Sequence, residues 1–415
     1  MAETLPFGQN LTRRYVSEGA ESELFVKHNV GNHGEVELVD YMGGDLTVER
    51  VATAGHGRGI FLPQEIELED FIKYLSFNGI YKPFKSVQLK LSFLAPIRTA
   101  LTFVNEQSVN VNEYSGRYSI MIDTSSTNEL LKPLREKVYS MYKKLIDIDM
   151  TRELARIGLG LDNHTKFFWK IDLYSLSQFV NRNRKYFDTN CQEMEFTEAV
   201  AEIAGKVAPE SWQALMDDNL EGKISKVKLK MPRDSVVVDP PLSNVAWQNE
   251  NTKRPIVNDL EGKLFEHLSF LDHGALQVVD YMGDDSSLAQ AARTSYGTGT
   301  KTLQDDKNLV KSLVRDLHTT PIEMAELAFE TKVPLFVDPR EAGRHRTLDF
   351  HSFMGYIPLG SQFYFPNDEE FRYQDRLNRQ GRGEKMARED HIETKEILKE
   401  MLQLQAKTAN ELEAN

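Results

Sequence analysis

The feature that most constrains this chain is a phrase that occurs twice. NHGEVELVDYMGGD at 32–45 returns as DHGALQVVDYMGDD at 272–285, at a constant offset of 240 and with eight of fourteen positions identical. Such a repeat indicates duplication of a whole domain. We predict a first copy at 24–218, a connector at 219–263 that is rich in lysine and proline, and a second copy at 264–415.

Composition limits the classes of protein to consider. A chain of 415 residues, 40% of them hydrophobic, can bury more than one core. The formal net charge of −13 argues against a general nucleic-acid or membrane-surface binder, so an anionic ligand would need a local basic cluster. Cys191 is the single cysteine, which excludes internal disulfides and cysteine metal clusters and favours a structural thiol. No apolar run approaches the roughly 20 residues of a membrane span, and we expect a cytoplasmic protein.

Each copy has the pattern of an α+β domain. Alternating apolar residues predict strands at 86–96 and 324–337. A capping-box pattern at Ser126 and Glu129 predicts a helix over 125–148, with Leu130, Leu134, Val138, Met141 and Leu145 on one face. Further helices are expected at 150–158, 173–183, 195–206, 209–217 and 382–403. The second copy stops where the first continues into its helical half, so its last helix should expose Ile397, Leu398 and Met401.

Two clusters carry chemistry. GRHRT at 343–347 groups Arg344, His345 and Arg346, and arginine forks match phosphate oxygens. The alternative is a solvated charged turn. NEYSGRYS at 112–119 combines a glycine with Ser115, Arg117 and Tyr118, and its alternative is a loop anchored by a tyrosine. Both clusters follow the apolar strand of their copy, which favours a functional interpretation of each.

These clusters resemble the signature of the flavin-dependent thymidylate synthases, in which an Arg-His-Arg triplet precedes a Ser-Gly-Arg-Tyr element. VVDYMGDDSSLAQAARTSYG (278–297), HTTPIEMAELAFETKVPLFV (318–337) and FRYQDRLNRQGR (371–382) resemble family phrases in the second copy. TRELARIGLGLDNHTKFFWKIDLYSLSQFV (151–180) and PESWQALMDD (209–218) do so in the first. The resemblance implies two tandem α+β domains of this family, each with a strand layer packed by helices, the second lacking its helical C-terminal half.

The family's single motif set is divided between the copies. In the first copy, Asn105, Glu106 and Gln107 replace the triplet, whereas the Ser-Gly-Arg-Tyr loop is kept. In the second copy the triplet is kept, and HSFMGYI at 351–357 replaces the loop. Similarly, NGIYKP at 78–83 stands where the second copy has its flavin-contact phrase. Each copy has therefore lost the half of the site that the other retains, which predicts composite sites between the copies.

The resemblance implies roles for individual residues. It assigns charge stabilisation and flavin binding to the triplet, and the uracil carbonyl to Arg156. The implied flavin-binding set is Ser295, His318, Thr320, Glu323, Arg344, His345, Arg346, Glu113 and Gln178. The implied nucleotide-binding set is Glu113, Ser115, Gly116, Arg117, Tyr118 and Arg156. Without the resemblance, Arg156 fits a helix-surface ion pair and His318 a helix-end histidine.

The implied reaction is reductive methylation of dUMP to dTMP, with FAD as cofactor, methylenetetrahydrofolate as one-carbon donor and NADPH as reductant. The implied assembly is a homodimer that forms a pseudo-tetramer. The last helical phrase departs from the family pattern at Asp172, Gln178 and Asn183. Two alternatives stay open: another dUMP-modifying enzyme such as a hydroxymethylase, and a noncatalytic flavin- or nucleotide-binding protein. The alternating losses favour the enzyme, because random decay would strike the same element in both copies about as often as different ones.

Overall fold

A computed structural model describes ten segments of the chain. They are residues 10–32, 34–53, 67–116, 119–121, 132–217, 249–270, 274–293, 303–333, 365–377 and 382–414. In these segments no helix is long and apolar enough to cross a membrane.

The first copy is built on one antiparallel sheet of five strands. Their order across the sheet is β2, β3, β4, β6, β5. The strands are β2 (Lys27–Val30), β3 (Gly34–Met42), β4 (Gln88–Pro96), β5 (Val109–Glu113) and β6 (His164–Asp172). The strand predicted at 86–96 is therefore β4.

Nine helices accompany these strands in the described part of the first copy. They are α1 (Glu18–Glu23), α2 (Asp45–Ala52), α3 (Leu68–Phe77), α4 (Ile97–Val104), α5 (Lys132–Asp147), α6 (Arg152–Ala155), α7 (Leu173–Tyr186), α8 (Gln192–Val207) and α9 (Pro209–Met216). Short 3-10 turns cover Lys82–Ser86 and Arg156–Gly158. All the helices predicted from 150 to 217 are present. The helix predicted over 125–148 covers 132–147, and its capping pattern at Ser126 and Glu129 and its Leu130 lie outside the described residues.

One face of the sheet forms the main core because apolar residues alternate along its strands. Phe93 of β4 and Phe167 and Trp169 of β6 are fully buried there. The Phe93 and Phe167 rings stack with centroids 4.7 Å apart, and Phe103 of α4 meets Trp169 edge-on at 5.5 Å. Burial of each large side chain stabilises the fold by about 1.5–3 kcal/mol. This core fixes the positions of β5 and β6.

The second copy repeats the early part of the first. Its elements are β8 (Leu268–Phe270), β9 (Gly274–Met282), α11 (Asp285–Arg293), α12 (Leu303–Arg315), a 3-10 turn (Ile322–Met324) and β10 (Glu326–Lys332). The three strands form an antiparallel sheet in the order β10, β9, β8. The strand predicted at 324–337 is present as β10, whereas Met324 belongs to the preceding 3-10 turn. The chain then forms a small sheet of β11 (Arg372–Gln374) and β12 (Arg382–Lys385), followed by a long helix, α13 (Arg388–Ala414).

One helix prediction was wrong at its start. Residues 382–385 form strand β12, and the helix begins at Arg388. Gly383 disfavours helix, and it lies so close to β11 that an added Cβ would be 3.1 Å from the Tyr373 carbonyl oxygen. The prediction of exposed apolar residues holds for Ile397 and Met401, which are 51% and 52% exposed, whereas Leu398 is half-buried.

The second copy covers the other face of the first copy's sheet. Phe168 of β6 packs against a cluster of Leu288, Ala291 and Met324 from the second copy. Lys170, also on β6, donates to Glu326 at 2.7 Å. The polar side chains that alternate with the core residues of this sheet therefore face the other copy instead of water.

The repeat extends upstream of the boundaries predicted at 24 and 264. β1 (Asn10–Thr12) pairs with β7 (Glu250–Thr252), and α10 (Asn258–Glu261) lies at the offset of 240 from α1. Phe25 and Phe265 share a rare positive φ, at 64° and 61°. The part of the predicted connector from 249 onward thus has the structure of the residues before the first copy.

Two buried arginines cross between the copies. Arg14 stacks over the Tyr281 ring at 4.0 Å and donates to the Tyr281 carbonyl at 3.0 Å. Arg254 stacks over Tyr41 at 4.2 Å and donates to its carbonyl at 3.1 Å. Both arginines are 0% exposed. Each copy therefore completes the core of the other through a reciprocal arginine–tyrosine contact.

Candidate functional site

Strand β5 leads directly into the Ser-Gly loop, defined here as residues 114–121. At its start, the Tyr114 N–H donates to the Lys166 carbonyl at 2.7 Å, and the Ser119 N–H donates to the Ser115 carbonyl at 3.2 Å. The Tyr114 hydroxyl donates to the Ile120 carbonyl, and partial burial raises the pKa of this hydroxyl. The loop is thereby closed on itself, with the predicted Ser115 and Gly116 inside it. Arg117 and Tyr118 lie outside the described residues.

Glu113 is placed at the mouth of this loop. It is exposed, and its carboxylate accepts a hydrogen bond of 2.9 Å from the hydroxyl of Thr165, which is buried on β6. The bond fixes the direction of the carboxylate at the end of β5. Glu113, a member of both implied binding sets, is thus held next to the loop that contains Ser115 and Gly116.

The loop places Gly116 beside Arg156, at the end of α6. A Cβ added at Gly116 would lie 2.5 Å from Arg156 Nη1 and 2.7 Å from Met121 Sδ, so no other residue fits without movement. Gly116 is buried and Arg156 is half-buried. Two members of the implied nucleotide-binding set, separated by 40 positions, are therefore in contact, and the guanidinium offers charged donors beside a tight backbone.

Two members of the implied flavin-binding set come from the second copy and touch β5 of the first. Asn110 Nδ2 donates to Glu323 Oε2 at 2.9 Å, and the Thr320 hydroxyl donates to Asn112 Oδ1 at 3.3 Å. Asn112 Nδ2 also donates to the carbonyl of Ala291, near the end of α11, at 2.5 Å. The strand that ends in Glu113 and the Ser-Gly loop is thus bonded to the flavin-side segment of the other copy.

The predictions did not give roles to Asn110 and Asn112, which make these contacts. The signal was present in VNVN at 109–112, because a polar residue at every second strand position marks a face that is not the core. The sequence could not show that this face meets the second copy.

The remaining described members of the flavin set stand apart from these contacts. His318 is exposed and follows α12, where its N–H donates to the Leu313 carbonyl at 2.9 Å. This is the helix-end position that the alternative interpretation predicts, two residues from Thr320. Gln178 is exposed on α7. Ser295, Arg344, His345 and Arg346 lie outside the described residues.

In the first copy, the residues that replace the triplet and the flavin-contact phrase contact that copy's own helix α7. Glu106, one of the residues in place of the triplet, forms an ion pair with Arg182 of α7. Tyr81, in the replaced NGIYKP phrase, stacks on Tyr174 of α7 with centroids 4.6 Å apart. Glu106 is an acidic residue paired with Arg182, so it offers no cation to a phosphate. The first copy therefore differs at this position from the second copy, which has the Arg-His-Arg triplet in its sequence.

The departures in the last helical phrase have structural explanations. Asp172 caps α7, accepting from the Ser175 N–H at 2.8 Å, and Asn183 is buried and donates to Thr197 Oγ1 at 2.9 Å. Arg184 pairs with Glu198 at 2.6 Å. These side chains are used within the fold of the first copy, whereas Gln178 is the predicted position on this helix that faces outward.

Comparison with known proteins identifies relatives of both copies. A family model described as thymidylate synthase complementing protein matches residues 37–210 and 277–413, more than half of the chain. The chain is 44% identical over 155 residues to a flavin-dependent thymidylate synthase of Wolbachia pipientis, covering 37% of this chain and 53% of that protein. It is 46% identical over 135 residues to the enzyme of the same name from Rickettsia typhi, covering 32% and 46%. The chain thus spans about half the length of these relatives.

Among solved structures, a UMP/dUMP methylase from Streptomyces cacaoi bound with 5-Br UMP matches 43% of this chain and 92% of its own. The two chains are 20% identical, and the TM-score of the match is 0.36.

Proposed function

Because the chain belongs to the thymidylate synthase complementing protein family, we propose that it catalyses flavin-dependent methylation of dUMP to dTMP. Methylenetetrahydrofolate is the one-carbon donor and NADPH the reductant in this proposal. The relatives' names, flavin-dependent thymidylate synthase, support the flavin and the reaction. The observation that carries the proposal is the bonding of β5 to the Thr320–Glu323 segment. This contact would bring together one retained half-site from each copy.

The polar groups at this junction, which include hydrogen-bond donors and acceptors, suit FAD. The hydroxyl of Thr320, the carboxylate of Glu323 and the amides of Asn110 and Asn112 match the hydroxyl groups of a ribityl chain in hydrogen-bonding character. Arg344, His345 and Arg346 would hold the phosphates and the ring system, with Ser295, His318 and Gln178 as further contacts. When bound, FAD supplies the redox chemistry of the reaction.

The first copy would bind and orient the nucleotide. Ser115 and Arg117 would hold its phosphate, Tyr118 would pack against it, and Arg156 would donate to the uracil carbonyl. The cradle at Gly116 supports this assignment, because the absence of a side chain there allows the loop backbone to approach the guanidinium. Glu113 would keep the loop in register with β6. The hydrogen bond of Glu113 and the close approach at Gly116 would thus help to position the nucleotide.

The first test is the absorbance spectrum of the purified chain. We expect flavin bands and, after reduction by NADPH, reoxidation that requires both dUMP and methylenetetrahydrofolate, with dTMP as product. A hydroxymethylated nucleotide as product would identify the hydroxymethylase alternative. A colourless chain that takes up no added FAD would contradict the proposal and favour a noncatalytic protein.

A second copy of the chain is the partner that its exposed apolar surfaces fit. Leu134, Met141 and Ile148 are 60%, 57% and 74% exposed and recur every seven residues along α5 and its end. Ile397, Met401 and Leu404, on one face of α13, are 51%, 52% and 58% exposed. This spacing is typical of helices that pack on a partner helix.

Charge supports a pairing of α5 with α13 of another chain. Helix α5 has five basic and two acidic residues, whereas α13 has four basic and seven acidic residues. Two-fold symmetry would form this contact twice, giving a homodimer with four copies of the domain, the predicted pseudo-tetramer.

We expect Met141→Lys and Met401→Lys each to convert the dimer to a monomer in sedimentation analysis, because each places a charge in an apolar seam. Leu377→Lys is the matched control, since Leu377 is 99% exposed and belongs to neither helix. A monomeric wild-type chain would contradict the dimer, and a dimeric Met401→Lys variant would exclude the pairing of α5 with α13.

A further inference from the structure

Two tyrosines of α5 hold the Ser-Gly loop by the backbone of a single residue. The Met121 N–H donates to the Tyr142 hydroxyl at 2.9 Å, and the Tyr139 hydroxyl donates to the Met121 carbonyl at 2.9 Å. Met121 is 6% exposed and Tyr142 is 2% exposed. Both backbone groups of Met121 are therefore satisfied by side chains of one helix, which fixes this residue from two sides.

Met121 in turn borders the gap that contains Gly116 and Arg156. Its Sδ lies on one side of Gly116, 2.7 Å from where a Cβ would be, and Arg156 Nη1 lies 2.5 Å from the same point. Ala155, which precedes Arg156, is buried in the same apolar cluster as Met121 and Tyr142. A shift of Met121 would widen the gap and release the guanidinium from its position against the loop.

The hydroxyl groups have no role in filling space. The two rings lie with centroids 5.6 Å apart and pack with Leu145, Ile146 and Leu159, so phenylalanine at either position would occupy the same volume. Both hydroxyl oxygens bond to the Met121 backbone. Phenylalanine variants therefore remove the hydrogen bonds to the loop and leave the packing of the rings on α5 in place.

We propose that Tyr139 and Tyr142 are positioning residues for nucleotide binding, acting through Met121 on the Gly116–Arg156 gap. The inference rests on the proposed function, because it assigns the bound ligand of this loop to a deoxyuridine monophosphate. It also places the control of nucleotide affinity on α5, the helix that carries the exposed Leu134 and Met141.

The test is calorimetric titration of the full-length, flavin-loaded chain with dUMP. Tyr139→Phe and Tyr142→Phe should each raise the Kd for dUMP roughly three- to tenfold, as expected for loss of one buried hydrogen bond that orders the loop. The flavin content and the melting temperature of each variant should stay near those of the wild type. The kcat at saturating dUMP should change by less than about twofold. Tyr186→Phe is the matched control, because Tyr186 is 72% exposed.

A second variant tests the path through the gap. Gly116→Ala should displace Arg156 and weaken dUMP binding at least as much, and adding Tyr142→Phe to it should have little further effect, because both changes act on the same contact. Full additivity of the two changes would overturn the path through Gly116.

The outcomes distinguish this inference from the function on which it rests. A wild-type chain that binds flavin but not dUMP would overturn both. Normal dUMP binding by the wild type, with unchanged Kd in both phenylalanine variants, would overturn only the positioning role. A fall in kcat with unchanged Kd would also overturn it, because the tyrosines would then act on a later step.

Discussion

Arg346→Ala should weaken flavin binding by about tenfold to a hundredfold while nucleotide affinity stays near that of the wild type, and Arg117→Ala should have the reverse effect. The magnitude follows from the loss of one charge-assisted hydrogen bond to a phosphate, about 1.5–3 kcal/mol. Flavin retention through gel filtration and calorimetric titration with dUMP measure the two affinities. Equal loss of both ligands in each variant would instead indicate misfolding and contradict a divided site.

A mixture of the two variants tests where the site is completed. In the structure, β5 of the first copy and the Thr320–Glu323 segment of the second belong to one chain and are bonded to each other. Each variant chain would then have one defective half in its own site. Co-expressed Arg117→Ala and Arg346→Ala chains should therefore stay inactive.

Recovery of activity in that mixture would contradict a site completed within one chain. It would show that a nucleotide half from one chain works with a flavin half from its partner. The matched control is a chain carrying both substitutions mixed with wild type. In mixed dimers, sites completed within one chain keep the wild-type chain's activity, whereas sites completed between chains are all defective. If the mixture of singly substituted chains is far more active than either variant alone, the sites are completed between chains.

Arg254→Met should destabilise the full chain by about 3–5 kcal/mol. Arg254 is fully buried, and its guanidinium lies 3.9 Å from an oxygen of Asp280, so its removal leaves a buried carboxylate with less compensation and the Tyr41 carbonyl without its donor. The midpoint of urea denaturation, followed by circular dichroism, measures the loss. Arg14→Met should have an effect of similar size, because Arg14 makes the reciprocal contacts to Tyr281.

Arg184→Met is the matched control for the buried arginines. Arg184 forms an ion pair with Glu198, but both side chains are more than 40% exposed, and such pairs contribute less than about 1 kcal/mol. If Arg254→Met were no more destabilising than this control, the reciprocal contacts would not hold the two copies together.

The sequence alone determined the repeat, two of the strands, the helices of the first copy after residue 131 and the division of motifs. The repeated phrase and strand β4 could be read directly, because hydrophobic period and turn residues are local properties. Gly116 and Arg156 could be assigned to one nucleotide-binding set only through the family resemblance. Their local patterns equally fitted a tyrosine-anchored loop and a surface ion pair.

Only the tertiary structure decided how the halves meet. Asn110 and Asn112 looked like ordinary strand residues, yet they bond to Glu323 and Ala291, 213 and 179 positions away. The reciprocal stacking of Arg14 on Tyr281 and Arg254 on Tyr41 likewise joins residues more than 200 positions apart. A residue type and its neighbours specify which groups are available for bonding. Which of them become partners depends on how the two copies pack, because burial of one sheet's polar face requires donors and acceptors that the other copy must supply.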